Sequence, residues 1–205
     1  MPNRVFEAID SCKKCELNTL VYNVHTKEHP EYGKLLTNLK NKVIGSKKLL
    51  LIGMNPSYRR FDDKRRAFEG VSPSKNLKDI QTSGDFFDYV LRKTKLMKYT
   101  IFITNLVKCS TDKNTELKDK YINTCRYLLE LEIGVIKPHY IVSMGHLVKK
   151  HLERFNLQHR TFHINHPSYY FRFKSDRAVE QEIEELNKLE ESIKNDKSTL
   201  SNFQF

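Results

Sequence analysis

Three short apolar runs punctuate an otherwise polar chain: Leu49-Leu50-Leu51-Ile52-Gly53, Thr100-Ile101-Phe102-Ile103-Thr104 and Tyr140-Ile141-Val142-Ser143-Met144. Each is too short for a helix and apolar at successive positions, the pattern of a strand covered on both faces in a parallel sheet. Thr161-Phe162-His163-Ile164-Asn165 is a fourth, weaker run. Between the runs the apolar spacing changes to the helical period. Helices are predicted over Asp85 to Lys95, Glu116 to Ile136 and His146 to Phe155, with Leu128, Leu131 and Val135 sharing one face of the second. A last helix is predicted from Asp176 to Lys194, with Val179, Ile183, Leu186 and Ile193 on a single stripe among charged residues. Strands alternating with helices predict an α/β domain with right-handed crossovers, a three-layer α/β/α arrangement around a mostly parallel four-stranded sheet. Residues 1–195 are expected to form this one domain and 196–205 a frayed tail. A polar, basic stretch from Lys27 to Asn41, containing Pro30 and Gly33, has no assigned place in the scheme.

A length of 205 residues suffices for one well-buried domain and is short for two. No apolar stretch approaches a membrane span. Met1 to Asp10 carries Arg4, Glu7 and Asp10 and no apolar run of signal-peptide length, so the expected setting is intracellular, in cytoplasm or nucleoid, with no membrane partner. The 36 Lys and Arg against 25 Asp and Glu give a net charge of +11, which makes a polyanion the natural partner. Arg59, Arg60, Lys64, Arg65 and Arg66 crowd just after the first strand, and Lys40, Lys42, Lys47 and Lys48 precede it. Solvated loops are the competing account of both clusters.

The four cysteines, Cys12, Cys15, Cys109 and Cys125, are spaced C-x2-C-x93-C-x15-C. A close pair puts two thiolates on one turn, and the fold must bring the other two to it, which would make a tetrahedral sulfur site that staples the N-terminus to the body. Disulfides fit poorly with a reducing compartment, and four unrelated buried or surface cysteines are the competing reading. Thiolates suit zinc and iron–sulfur clusters alike, and the spacing does not separate them.

Two segments that follow strands invite a chemical reading, because α/β folds collect ligands there. In Gly53-Met54-Asn55-Pro56-Ser57 the glycine permits an unusual strand exit and Pro56 stiffens the turn, holding Asn55 over the sheet edge, where it could orient a water molecule. An ordinary strand-to-helix turn would use the same residues. In the loop His166-Pro167-Ser168 a histidine on a stiff turn can donate to a developing anion, and the Ser168 hydroxyl can reach a phosphate. Tyr169, Tyr170 and Phe171 beside Arg172 could wedge into a base stack or pack as an aromatic corner.

The C-x2-C start, the Gly53-Met54-Asn55-Pro56 turn, Thr104-Asn105-Leu106-Val107-Lys108-Cys109 and the His166-Pro167-Ser168 loop, in this order and spacing, resemble the uracil-DNA glycosylase superfamily. The resemblance covers nearly the whole chain and is closest to the family-4 enzymes, whose four cysteines hold a [4Fe-4S] cluster. It implies that cluster rather than zinc on Cys12, Cys15, Cys109 and Cys125. It also implies action on DNA that contains a deaminated or damaged base, with hydrolysis of the N-glycosidic bond of uracil as the start of base excision repair; a monomer is the default expectation, not one the resemblance supplies. Asn55 and His166 would be catalytic. Gly53, Met54, Phe68 and Asn105 would line the base pocket, Asn105 reading the edge of a flipped uracil and Phe68 stacking on it, although a core phenylalanine is the competing reading there. Ser57, Arg59, Arg60, Arg65, Ser168, Tyr169, Tyr170 and Arg172 would contact DNA. The sequence departs from family 4 in the first loop, where Met54-Asn55-Pro56-Ser57 stands in place of Glu-Ala-Pro-Gly. It looks there like the single-strand-selective and mismatch-specific branches, which leaves the preferred base open among uracil, hypoxanthine, xanthine and oxidised pyrimidines. The rival from another class is a noncatalytic nucleic-acid-binding protein with a structural four-cysteine metal site.

Overall fold

The computed structural model describes residues 5, 7–9, 11–17, 47–55, 76–80, 83–109, 111, 116–157, 161–173 and 175–196. Its centre is a sheet of four parallel strands: β1 (Lys48–Gly53), β2 (Thr100–Asn105), β3 (Tyr140–Met144) and β4 (Thr161–Ile164), in the order β2-β1-β3-β4. Five α-helices are described: α1 (Ser83–Leu91), α2 (Asp119–Ile136), α3 (His146–Arg154), α4 (Pro167–Phe171) and α5 (Asp176–Asn195). Short 3-10 turns occupy Leu77–Asp79 and Lys95–Lys98.

The apolar runs are continuous because both faces of the sheet are covered. Along β1, Leu49 and Leu51 join a core with Phe86, Val90, Val142, Leu186 and Ile193, while Leu50 and Ile52 join a second core with Ile122, Leu129, Ile133, Val148 and Leu152. Helices α1, α4 and α5 therefore lie on one face and α2 and α3 on the other. This is the expected three-layer α/β/α fold.

Apart from small shifts at other element ends, three details differ from the sequence reading. On α2 the buried stripe runs through Tyr121, Ile122, Cys125, Leu128, Leu129, Glu132, Ile133 and Ile136, whereas Leu131 is 44% and Val135 36% exposed. The polar-looking Glu132 takes the inward position because it has a buried cationic partner. Helix α1 stops at Leu91 rather than Lys95, where the Thr94 hydroxyl donates to the Leu91 carbonyl and the chain enters the 3-10 turn. The segment after His166, read as a loop, forms α4: Pro167 suits the first helical position, and the His166 ring caps the helix by accepting from the Ser168 N–H.

The stripe of α5 contains Val179, Leu186 and Ile193 as expected, with Ile183 half-buried. It also carries Glu182, which is 1% exposed and has no hydrogen bond to either carboxyl oxygen among the described residues. Burial, and then the neighbouring Glu185, push its ionisation up to about 8. The fold thus retains a proton that the unfolded chain releases near 4.5. Stability must fall as pH rises from about 4.5 to about 8, by on the order of a few kcal/mol. Glu182→Gln is expected to flatten that decline, which thermal melts between about pH 5 and about pH 8.5 would show as a smaller loss than in the parent.

Candidate functional site

Because the four strands are parallel, their C-terminal ends share one edge, and the candidate polar residues stand there. Gly53 ends β1 opposite Asn105, which ends β2. Met144 ends β3, Gly145 follows it, and His166 lies two residues beyond β4. The chain leaves β1 to one neighbour, β2, and later returns to the other, β3. This makes the end of β1 a topological switch point, the place where open α/β sheets form a crevice.

The ends of β1 and β2 stay joined past the sheet. Leu106 N–H donates to the Gly53 carbonyl and Val107 N–H to the Met54 carbonyl, each at 2.9 Å. Asn105 is 6% exposed, and its amide oxygen lies so close to Gly53 that a Cβ there would sit 2.5 Å from it. This contact explains the glycine: an amide side chain occupies the volume of its missing Cβ. Gly53→Ala is expected to displace the Asn105 amide and to cost about 1–3 kcal/mol of stability through overpacking. The shifted side-chain amide resonances of Asn105, with the strand resonances retained, would check it.

Asn55 is half-buried, and its amide nitrogen donates to the Thr111 hydroxyl at 3.0 Å. Thr111 has no sequence signal of its own; only the fold brings it to Asn55. Gly145 has φ +95°, a left-handed conformation that favours glycine, and a Cβ there would touch the His166 Cβ at 3.4 Å. Its N–H donates to the Ile164 carbonyl at 2.8 Å, which locks the turn after β3 against the end of β4.

His166 is half-buried, and burial holds its pKa below the usual histidine value, so the ring is neutral at pH 7. Its Nδ1 accepts from the Ser168 N–H at 3.2 Å and lies 2.8 Å from the Ser168 hydroxyl. With Nδ1 engaged as an acceptor, the neutral ring carries its proton on Nε2. The Ser168 hydroxyl expected on a phosphate is thus turned onto His166. Tyr170 points inward: it is 6% exposed, donates to Glu185 at 3.1 Å and accepts from Asn165 at 3.2 Å. The exposed members of this corner are Tyr169, Arg172 and the unanticipated Phe173, which is 57% exposed. Tyr169 packs edge-on against Phe173, with the Arg172 guanidinium 5.5 Å from its ring centre. Ser57, Arg59, Arg60, Arg65 and Phe68 lie outside the described residues, as do the 27–41 stretch and nearly all of the tail.

The four cysteines gather where the N-terminal segment crosses α2. Cys15 and Leu17 pack with Cys109 and Cys125 in the second core, and Cys12 packs with Val5, Ile9 and Leu128. Glu16 accepts from Lys120 at 2.5 Å and from Tyr121 at 2.6 Å, fastening the same crossing. None of the four is in a disulfide, and among the described residues no group is drawn to metal-binding geometry. The donor set nevertheless suits a thiophilic metal. Burial first, and then the negative charge of the other three sulfurs, push the Cys109 thiol up to about 12. Cys125 is raised by burial and eased by the Lys108 main-chain N–H, which donates to its sulfur. Two buried thiols that resist ionisation, clustered with Cys12 and Cys15, are what a metal ion would convert to thiolates. Tyr127 adds a donor, its hydroxyl 3.2 Å from the Cys12 sulfur.

Two asparagines and a neutral histidine thus stand at the C-terminal edge of an α/β sheet, beside the switch point where such folds collect ligands. The family model of the uracil DNA glycosylase superfamily matches residues 43–190, and the chain belongs to that superfamily. It is similar to the type-4 uracil-DNA glycosylase of Pyrobaculum aerophilum, 24% identical over 149 residues that cover 73% of this chain and 63% of the relative. The type-4 uracil-DNA glycosylase of Sulfurisphaera tokodaii is likewise 24% identical over 150 residues, 73% of this chain and 56% of the relative. The chain thus matches about three fifths of the length of these relatives.

Proposed function

We propose that the chain is a monofunctional DNA glycosylase that hydrolyses the N-glycosidic bond of uracil, or of a related deaminated base, and so opens base excision repair. The observation that carries this reading is the convergence of Asn55, Asn105 and His166 on one sheet edge, in a member of the uracil DNA glycosylase superfamily. A noncatalytic binding protein would have no need of three polar side chains fixed at that crevice. The net charge of +11 and the exposed Tyr169, Arg172 and Phe173 suit a DNA partner. Among the described residues no helix is long and apolar enough to cross a membrane. A DNA substrate would place the work in cytoplasm or nucleoid, and we take the working unit to be a monomer formed by residues 1–195.

The target nucleotide is flipped out of the stack at a cost of a few kcal/mol, least where it is mispaired or unpaired. Asn105, wedged against Gly53, reads the Watson–Crick edge of the base with its amide, and Met54 closes the pocket beside it. As the bond stretches, negative charge grows on the base and positive charge on the sugar. His166 meets the first with its Nε2–H, since Nδ1 is held by Ser168. Asn55, anchored through its amide nitrogen to Thr111, orients the attacking water. On the resemblance Phe68 stacks on the base, and the basic run with Arg59, Arg60 and Arg65, together with Ser57, follows the phosphates. Cys12, Cys15, Cys109 and Cys125 would hold a [4Fe-4S] cluster, with zinc as the alternative; either would cross-link the N-terminal segment to the body.

Lys108, the buried lysine nearest Asn105 in sequence, is held in the core by three acceptors and is not offered as a Schiff-base amine. The abasic product should therefore keep an intact strand. Incubation with a uracil-containing oligonucleotide, followed by electrophoresis with and without alkali, is expected to show scission only after alkali. Scission without alkali would contradict a monofunctional enzyme.

A further inference from the structure

Lys108 is one of the largest fully buried side chains, 1% exposed, and its ion-pair partner Glu132 is equally buried. Its ammonium has three protons and three acceptors: Glu132 Oε2 at 2.5 Å, the Asn105 carbonyl at 2.5 Å and the Thr104 hydroxyl at 2.9 Å. Thr104 in turn donates to Glu132, with both carboxyl oxygens 3.0 Å away. A buried ion pair of this kind is weak evidence for stability, because well-packed apolar replacements are often neutral or better. Some other property of the cluster has to account for it.

The geometry supplies one. The bend from Asn105 to Lys108 is fixed on its outer side by the Leu106 and Val107 N–H groups on the β1 exit. It is fixed at its far end by the Lys108 N–H on the Cys125 sulfur. The remaining handle is the Asn105 carbonyl, and the Lys108 side chain folds back three residues to take it. The Asn105–Leu106 peptide is then held on both sides, its N–H by Gly53 and its carbonyl by Lys108, which restricts its rotation and favours one direction for the Asn105 Cα–Cβ bond. That direction matters because the Asn105 amide already fills the space left by Gly53 and has little room to adjust.

We propose that Lys108 is a positioning residue: by holding the Asn105 carbonyl from within the core, it fixes the angle at which the Asn105 amide meets a flipped base. This rests on the glycosylase reading above, in which Asn105 reads the base. The test is the paired variant Lys108→Met with Glu132→Met, which removes both buried charges together and leaves neither uncompensated. Folding is checked by circular dichroism and melting. Two numbers are then compared with the parent protein: the single-turnover release rate at saturating enzyme, and the affinity for DNA carrying an abasic site, which has no base for Asn105 to read.

The expected result is a folded protein whose release rate falls by about 10-fold to 100-fold while its abasic-site affinity stays within about 2-fold. A folded variant with a rate within about 2-fold of the parent would overturn the proposal, leaving Lys108 a packing residue. So would a parallel loss of rate and abasic-site affinity, which reports general damage. Should the methionine pair not fold, Lys108→Met with Glu132→Gln leaves Thr104 a polar partner while removing both charges and the donor to the Asn105 carbonyl. The same two outcomes decide there. Failure of the glycosylase reading is distinct and visible first, as absence of base release by the parent protein.

Discussion

Replacing Asn55 by alanine is expected to slow base release by on the order of 100-fold or more while leaving affinity for the DNA nearly unchanged. The asymmetry follows from where the side chain stands. Asn55 leaves the central strand at the switch point and is tied by its amide nitrogen to Thr111, so it contributes a fixed polar group at the sheet edge and no charge to the phosphate-binding surface. A group that holds water for attack acts on the barrier, whereas affinity for DNA is dominated by cations neutralising phosphates. Alanine also leaves Thr111 without its donor, a loss at a half-buried site that the fold tolerates. Saturating single-turnover kinetics give the rate, and titration of labelled abasic-site DNA gives the affinity. A parent-like rate in this variant would remove Asn55 from the mechanism.

The second large effect concerns the sulfur cluster. Cys125→Ser is expected to lower soluble yield, bound metal and melting temperature together. Structural thiolate sites in small metal domains are worth about 10–16 kcal/mol in apparent binding energy. Whole domains are stable by only about 5–15 kcal/mol. Losing even part of the first is therefore comparable with the second. The N-terminal segment meets α2 through Val5, Ile9 and Leu17 and through Glu16 with Lys120 and Tyr121; the surface ion pair among these contributes little. Elemental analysis, colour after purification without oxygen, and a melting curve check the prediction in one preparation. Brown protein would mean iron and sulfide, colourless protein zinc. A serine variant with full metal and full stability would show the ligand set to be wrong.

Much of the fold was legible because burial on both faces of the sheet writes itself as unbroken apolar runs: β3 runs over the residues expected, and β1, β2 and β4 each differ by one residue at one end. What the sequence hid were the places where tertiary pairing overrides polarity. Leu131 reads as an inward residue, yet it is exposed, while Glu132 beside it is buried in an ion pair with Lys108. No local pattern marks a lysine that will bend back into the core. Helix α4 was missed because its cap is a histidine ring rather than a hydroxyl or carboxamide. At the site, the strand-end positions of Asn55, Asn105 and His166 were readable from the alternation of strands and helices. Their second partners were not: Thr111 lies 56 residues from Asn55, and Gly145 meets His166 only because β3 and β4 are adjacent. The aromatic corner divided in a way composition does not show, Tyr170 turning into the core and Phe173 out of it.

The central claim is that this sheet edge releases a damaged base from DNA. Its most direct test is single-turnover reaction with oligonucleotides carrying uracil, hypoxanthine, xanthine or an oxidised pyrimidine, in single strands and opposite each normal base, with the free base identified by chromatography. Release of uracil or another deaminated base, abolished in the Asn55→Ala variant, is the predicted result. Tight DNA binding with no base released from any substrate would contradict it and leave a noncatalytic nucleic-acid-binding protein.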